Sequence, residues 1–234
     1  MRRDSTLRRT SSRVDRLCRR FGEYVAAFDR AQLFTGPSLH FHFRTLERLQ
    51  QHDTASSALE DDLFFEYLYA TLTSWGLHRM GRAAAKLVDF PRLTQSIRNE
   101  QATIAKLERR RITELREDNV SHVTDLLWQV LGSIEVSESR TRLVANSKAL
   151  HHILPQLMPP IDREYTLRFF YENKTIGGRD EQIFRELYPL FWRVASLSRS
   201  QILSSIGRDF HTSETKVIDN AIVGFVLSEL KAPR

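Results

Sequence analysis

The stretch "LVANSKALHHILPQLMPPIDREYT", residues 143–166, concentrates polar and chain-stopping residues between two helical patterns. Pro155 should end the first helix, because the residue before a proline disfavours the helical conformation. Pro159 and Pro160 stiffen the approach to the next helix, and Asp162 stands where an N-cap residue is expected. We therefore predict a sharp corner between two helices, with Lys148 and Asp162 at its edges. The predicted buried face of the first helix comprises Leu143, Val144, Ser147, Leu150, His151 and Leu154.

Outward from this corner, helical periodicity dominates the chain. From Val14 to Phe34 the apolar positions fall mostly three or four residues apart, which indicates one face of a helix. Residues 63–75 are apolar on most sides, which is typical of a helix buried at the centre of a domain. Only nine glycines and seven prolines occur, too few for the frequent turns of a sandwich or barrel. We predict an all-α protein whose residues 21–234 form a single compact domain of eight to ten helices, which could be arranged as two lobes meeting near residue 120.

Several helix boundaries follow from proline, glycine and capping residues. Pro37 should begin a helix directly after Gly36, since proline is tolerated in a first helical turn. A long helix is predicted from Phe90 to about Arg116, and a helical stretch over 180–206 is expected to break near Pro189. The last helix should run from about Ser213 to Leu230, with the Ser213 hydroxyl as its cap.

The net positive charge of the chain arises in its N-terminal segment. The net charge is +6, and residues 1–20 alone supply it, while the remaining 27 basic and 27 acidic residues cancel. We predict a basic, flexible arm over residues 1–20 that could bind nucleic-acid phosphates. The same composition is typical of an organelle transit peptide, of a solvated terminus, or of extra residues from an upstream start site. The arginines are Arg2, Arg3, Arg8, Arg9, Arg13, Arg16, Arg19 and Arg20.

The sequence offers no signal for a cofactor, a metal or a membrane span. A lone cysteine, Cys18, excludes an internal disulfide and fits a reducing, cytoplasmic setting. No apolar run approaches the roughly 20 residues that cross a bilayer. His151 and His152 diverge by about 100° on a helix, and no third ligand is in view, so we predict no metal site. Phosphate-binding glycine motifs are missing as well.

The order of elements over residues 120–170 resembles the second lobe of helix-hairpin-helix DNA glycosylases: a helix, a polar hairpin, a helix carrying Lys148, a proline-containing loop, and Asp162 before another helix. The segment "SKALHHILPQLMPPID" is also similar to a group of uncharacterised bacterial helical proteins that share its Ser-Lys, Leu-His, Pro, Pro-Asp order. The glycosylase resemblance implies a DNA partner whose phosphates are held by backbone N–H groups of the hairpin. It also implies that Lys148 attacks the sugar carbon and that Asp162 supports the reaction.

These inferences define a candidate site with Lys148 and Asp162 as its catalytic residues. Three residues of the corner also have a structural alternative: Asp162 as a helix cap, Lys148 as an ion-pair partner of Asp162 or Glu164, and His151 as a core histidine. If the alternatives hold, the chain is a non-catalytic helical interaction protein and the motif is a structural corner. An open cleft shared by Lys148 and Asp162 would favour the functional hypothesis. The predicted ligand-binding residues are Asn146, Ser147, His151 and Arg163, together with a second polar-aromatic cluster of Trp75, His78 and Arg79.

Overall fold

The computed structural model describes residues 2–77, 86–139, 142–173 and 179–230, with side chains from residue 9 onward. Within these ranges the chain forms thirteen α-helices and no β-strand, which confirms the all-α class and slightly exceeds the predicted number of helices. No helix of the described ranges is long and apolar enough to span a membrane. The helices are α1 (Arg2–Arg19), α2 (Phe21–Ala31), α3 (Pro37–Gln50), α4 (Ala55–Ala58), α5 (Asp62–Leu72), α6 (Phe90–Arg98), α7 (Gln101–Leu107), α8 (Glu117–Ser133), α9 (Leu143–Ile153), α10 (Thr166–Tyr171), α11 (Asp180–Leu197), α12 (Arg199–Ser205) and α13 (Glu214–Phe225).

Helix α13 is the central element of the fold. All twelve of its residues are buried, and it contacts α2, α10, α11 and α12. Ser213 caps it as predicted, because its hydroxyl accepts a hydrogen bond from the Lys216 backbone N–H at 3.2 Å. A helix buried on all sides is normally apolar all round. Here Lys216, Asp219 and Asn220 interrupt the apolar surface, so polar groups are carried into the centre of the molecule.

Helices α2 and α13 approach each other closely at Gly224. A Cβ atom built on Gly224 would lie 1.9 Å from the Tyr24 carbonyl oxygen and 3.1 Å from the Phe28 backbone nitrogen. Only a residue without a side chain permits this contact. The contact holds the C-terminal end of α2, and the residues that follow it, against the central helix.

The N-terminal helix lies against the body of the protein from Thr10 onward. The Thr10 hydroxyl donates to the Phe170 carbonyl at 2.6 Å, and Arg13 is buried, donating to the Phe169 carbonyl and pairing with Glu172. These residues belong to the segment whose composition predicts a flexible arm. One connected set of buried apolar side chains runs from Val14 in α1 to Val226 and includes Val120 inside α8.

Two predicted helices have different boundaries in the structure. The long helix expected to reach Arg116 ends at Arg98, and after α7 the chain forms a single 3₁₀ turn, Ile112–Glu114. The Ile112 N–H donates to the Gln156 carbonyl at 2.9 Å, and the Thr113 N–H donates to the buried Glu214 carboxylate at 3.1 Å. Tertiary hydrogen bonds therefore replace helical ones in this segment.

Helix α11 continues through Pro189, where an interruption was predicted, and ends at Leu197. A proline inside a helix removes one backbone hydrogen bond and costs roughly 3 kcal/mol. Phe184, Tyr188 and Phe191 on either side of Pro189 are all buried in the core. The packing of these rings offsets the lost hydrogen bond.

Candidate functional site

The predicted corner after α9 is present and is stabilised by two of the predicted site residues. The Ser147 hydroxyl accepts a hydrogen bond from the Ile161 N–H at 3.1 Å, which fixes the proline-containing loop to α9. The Asp162 carboxylate accepts from the backbone N–H groups of Tyr165 at 2.6 Å and Thr166 at 3.3 Å. Asp162 therefore caps the turn that leads into α10.

Lys148 and Asp162 line one open cleft of about 350 Å³. This volume lies within the range of about 300–1,000 Å³ that is usual for small-molecule sites. The walls come from the segment after α2, the end of α5, the corner and α13. We call it the lysine-aspartate cleft and define it by Phe34, Trp75, Lys148, Asp162, Lys216 and Asp219.

Trp75 is placed at the cleft by a wide helical turn at the end of α5. The π-helical turn Thr73–Leu77 contains Gly76 at φ 82°, a left-handed conformation that favours glycine. The Trp75 indole N–H donates to the Ser38 carbonyl at 3.1 Å, and its ring stacks on His42 at 5.5 Å between centroids. Lys148 also contacts Trp75. Its Nζ donates to the Trp75 carbonyl at 3.4 Å and lies 5.8 Å from the indole centroid.

Lys216 and Asp219 form a buried ion pair on the opposite wall. Their Nζ and Oδ2 atoms are 2.5 Å apart, and the lysine side chain is only 1% exposed. The ammonium group lies within cation–π distance of four rings. Its distances to the ring centroids are 4.3 Å for Phe210, 5.0 Å for Phe34, 5.6 Å for Trp75 and 5.9 Å for Phe28.

Burial and the neighbouring charges of the cleft shift the pKa of Asp162. Burial raises the pKa of Asp162 above its usual value, and the nearby Asp219 charge raises this pKa further. Backbone hydrogen bonds from Tyr165 and Thr166 and the positive charge of Lys148 act in the opposite direction. A carboxyl group with a raised pKa takes up a proton more readily, which is one requirement of general acid–base chemistry.

A chain of buried histidines lies behind the cleft. Burial lowers the pKa values of His42 and His152, the latter to about 4, so both rings are neutral at pH 7. The Lys148 carbonyl can only accept, so His152 Nδ1 donates to it at 2.8 Å. His152 Nε2 must then accept from His42 Nδ1 at 2.9 Å, and His42 Nε2 accepts from the Thr212 hydroxyl at 3.0 Å. This relay fixes the backbone of Lys148.

The predicted ligand-binding residues of the corner lie outside the cleft. Asn146 is buried and donates to the Leu131 and Ile134 carbonyls, both at 2.8 Å, so it joins α8 to α9. His151 is buried with Nδ1 2.9 Å from the Met158 carbonyl. Arg163 is exposed and is not among the residues lining the cleft. His78 and Arg79 lie outside the described residues.

The sequence analysis did not select Lys216, Asp219 or Phe34. A usable signal exists for the first two, since a lysine and an aspartate three residues apart share one face of a helix. That helix is otherwise apolar, and charged residues are almost never buried unless they are paired. Nothing in the sequence indicates that the loop carrying Phe34 reaches α13.

Two backbone N–H groups at the start of α9 have a protein partner. The N–H groups of Arg142 and Leu143, at the start of α9, donate to one oxygen of Asp180 at 2.6 and 3.0 Å. Several N-terminal arginines also pair with carboxylates, including Arg13 with Glu172 and Arg16 with Glu229. In the described part of the chain, no group of three or more His, Cys, Asp or Glu side chains is arranged to hold a metal.

Comparison with protein-family models, with curated proteins and with solved structures finds no match for this chain.

Proposed function

We propose that the chain binds DNA and receives one nucleotide in the lysine-aspartate cleft. The observation that carries this proposal is the shared position of Lys148 and Asp162 on one open cleft with Trp75. A lysine supplies a charge for a phosphate or an amine for covalent chemistry, and an indole supplies a surface on which a base can stack. The corner thus presents the two residues that the glycosylase resemblance selects, beside a ring suited to a base.

The enzymatic form of this proposal is a glycosylase and lyase reaction through Lys148. The neutral Lys148 amine attacks C1′ of the sugar, the N-glycosidic bond breaks, and its electron pair leaves with the base, which takes up a proton. The proton that Lys148 must lose goes to Asp162, whose pKa is raised and responds to the Lys148 charge. The nitrogen loses a second proton, which O4′ takes up as the sugar ring opens, and the product is a protonated imine. In the lyase step the loss of a proton from C2′ expels the 3′-phosphate, and water then hydrolyses the imine and releases the Lys148 amine.

A second candidate function is favoured by the hydrogen bonds of the corner. Asn146, Ser147 and His151 are all buried and bonded to backbone groups of neighbouring segments, as a purely structural corner requires. In that case the chain is a non-catalytic helical interaction protein. The two candidates differ in what Lys148 does, because a structural corner does not need its ammonium group to reach a ligand.

The first prediction is that Lys148→Met abolishes covalent trapping to a duplex containing an abasic site in the presence of borohydride. The abasic sugar exposes an aldehyde, so an attacking amine forms an imine that borohydride reduces to a stable link. Methionine keeps the length and the apolar stem of the side chain and removes the amine. Binding should be measured in parallel by fluorescence anisotropy over a salt series from about 50 to 200 mM, because phosphate contacts weaken with salt.

Lys106→Met is the matched control, since Lys106 is exposed on α7 and does not line the cleft. It should trap and bind DNA like the unchanged protein. Replacing Arg2, Arg3 and Arg8 with glutamine tests the basic segment without removing the packed part of α1. Absence of DNA binding at low salt, or full trapping and binding by Lys148→Met, would support the interaction-protein hypothesis instead.

A further inference from the structure

The second lysine and carboxylate of the cleft, Lys216 and Asp219, have no role in the reaction proposed for Lys148. A buried ion pair is costly to desolvate and often contributes no net stability. This pair is nevertheless placed in the wall of the cleft, surrounded by aromatic rings. A buried pair that borders a cleft is suited to recognising a ligand.

We propose that Lys216 and Asp219 recognise the lactam edge of a nucleobase, in which a ring C=O adjoins a ring N–H. The inference rests on the proposed function, in which the cleft receives a nucleotide. It adds the chemical class of the base: hypoxanthine, guanine, uracil and thymine carry a lactam edge. Adenine and cytosine carry an amino group next to an unprotonated ring nitrogen.

The donor and acceptor order of the pair carries the inference. Lys216 Nζ and Asp219 Oδ2 are 2.5 Å apart, so an ammonium donor stands directly beside a carboxylate acceptor. An ammonium group has three N–H donors, and a carboxylate has about four acceptor positions. The bond between them uses one of each. The pair can therefore donate to a ring C=O and accept from the adjacent N–H at the same time.

An amidine edge has the reverse order and does not fit. The amino group of adenine would face the ammonium group of Lys216, and its unprotonated N1 would face the carboxylate of Asp219. The first contact sets a donor against a donor, and the second sets an acceptor against an acceptor. Exchanging the positions of the amino group and N1 requires the base to turn over. A site built to hydrogen-bond one polar edge rejects an analogue that leaves its buried groups unpaired.

The aromatic rings of the cleft supply the planar contact that a base needs. Phe34 and Trp75 both line the cleft, and each has the Lys216 ammonium group near its ring, at 5.0 and 5.6 Å. A base lying against either ring would have its edge close to Lys216 and Asp219. Lys148 lies 5.8 Å from the Trp75 centroid, on the side where we place the sugar and phosphate of the same nucleotide.

The test measures binding of four nucleotides by isothermal titration calorimetry. It compares inosine 5′-monophosphate with adenosine 5′-monophosphate, and uridine 5′-monophosphate with cytidine 5′-monophosphate. Each pair shares its sugar and phosphate, so the main difference is the edge of the base. We expect each lactam-bearing nucleotide to bind at least about tenfold more tightly than its partner, a difference of about 1.4 kcal/mol. Equal affinities within either pair, or no binding of any of the four, would overturn the inference.

The variant experiment removes both partners together, because a single substitution would leave a buried charge unpaired. In the double variant Lys216→Met and Asp219→Leu, apolar side chains fill the aromatic surroundings, and circular dichroism checks the fold. We expect its affinity ratios to fall to about one, while Lys106→Met keeps the ratios of the unchanged protein. A preference that survives in the folded double variant would contradict the assignment. If the double variant does not fold, Asp219→Asn serves instead. Its carboxamide can donate an N–H to the unprotonated ring nitrogen of adenine or cytosine, so the affinity ratios within the two nucleotide pairs should become smaller.

The outcomes separate this inference from the proposed function. DNA binding and Lys148-dependent trapping without a preference between the paired nucleotides would leave the proposed function intact and remove the lactam assignment. A clear preference without DNA binding would instead identify the cleft as a site for free nucleotides.

Discussion

At the scale of single residues, the structural role of Asp162 can be separated from the chemical role that we propose for it. Its carboxylate accepts two backbone N–H groups, as a cap does, and it also lines the cleft beside Lys148. Asparagine caps a helix about as well as aspartate but carries no charge. Alanine removes both the cap and the charge.

We predict that Asp162→Asn changes the free energy of unfolding by less than about 0.5 kcal/mol and lowers borohydride trapping by at least about tenfold, whereas Asp162→Ala also costs about 1 kcal/mol of stability. Urea unfolding measures the first effect, and trapping to abasic DNA measures the second. The control is Asp89→Asn, because Asp89 caps α6 through the Arg92 N–H at 3.0 Å and does not line the cleft. Trapping by Asp162→Asn at the level of this control would mean that Asp162 acts only as a cap.

The residue scale also shows what local sequence patterns can supply. Prolines and an N-cap aspartate indicate the corner, so Lys148 and Asp162 could be placed at its edges from the sequence. Their approach to Trp75 depends on the packing of α3, α5 and α9, which are distant in sequence. Phe34 and Lys216 lie further apart still, and only the contact between α2 and α13 brings them to the same cleft.

At the scale of helices, α2 packs against α13, and Phe34, shortly after α2, lies 5.0 Å from the Lys216 ammonium group of α13. We predict that Gly224→Ala destabilises the protein by about 3 kcal/mol or more, because its Cβ would overlap the Tyr24 carbonyl oxygen and backbone cannot move as a flexible side chain can. Chemical denaturation of the variant, followed by circular dichroism, measures the loss.

Gly22→Ala is the matched control for this prediction. Gly22 also lies in a helix, α2, but no atom lies within 4 Å of the position its Cβ would take. Alanine has the higher helix propensity, so this substitution should stabilise the protein by up to about 1 kcal/mol. Equal effects of the two substitutions would mean that the helices separate easily at Gly224.

Helix boundaries were predictable where local signals determine them. Pro37 begins α3, and the Ser213 hydroxyl caps α13, because both effects act within one helical turn. The prediction of a long helix reaching Arg116 was wrong. Gln156 and Glu214, which are remote in sequence, accept hydrogen bonds from the backbone N–H groups of Ile112 and Thr113. The break predicted at Pro189 was wrong for a related reason, because core packing of α11 offsets the hydrogen bond that proline removes.

At the scale of the whole molecule, the distribution of charge differs from what the net charge suggests. The excess of +6 arises in residues 1–20, yet Arg9 and Arg13 both pair with Glu172, and Arg16 and Arg20 both pair with Glu229. Apart from the pair of the buried Arg13, these ion pairs are largely exposed, and exposed pairs contribute little to stability and are screened by salt. In the proposed DNA complex, the Glu172 and Glu229 carboxylates would compete with the DNA phosphates for these paired arginines.

The stability of the whole molecule should fall as pH drops from about 6.5 towards 4, because His42, His151 and His152 are buried together. Burial lowers all three pKa values, that of His152 to about 4, against about 6.5 in an unfolded chain. Between these pH values the unfolded chain binds protons that the folded chain does not, so lowering the pH favours unfolding. His152 alone corresponds to roughly 3 kcal/mol of stability lost by pH 4.

Asp162 opposes this trend, since its raised pKa makes the folded chain bind a proton more readily than the unfolded chain. One such carboxylate offsets only part of the effect of three histidines. Urea unfolding at intervals from pH 7 to about pH 4 should therefore give a free energy of unfolding that decreases steadily as the pH is lowered. His122→Gln, at an exposed position on α8, should leave the slope unchanged. A free energy of unfolding that stays constant over this interval would show that the histidines are protonated in the fold, and the hydrogen-bond relay behind Lys148 would then have a different arrangement.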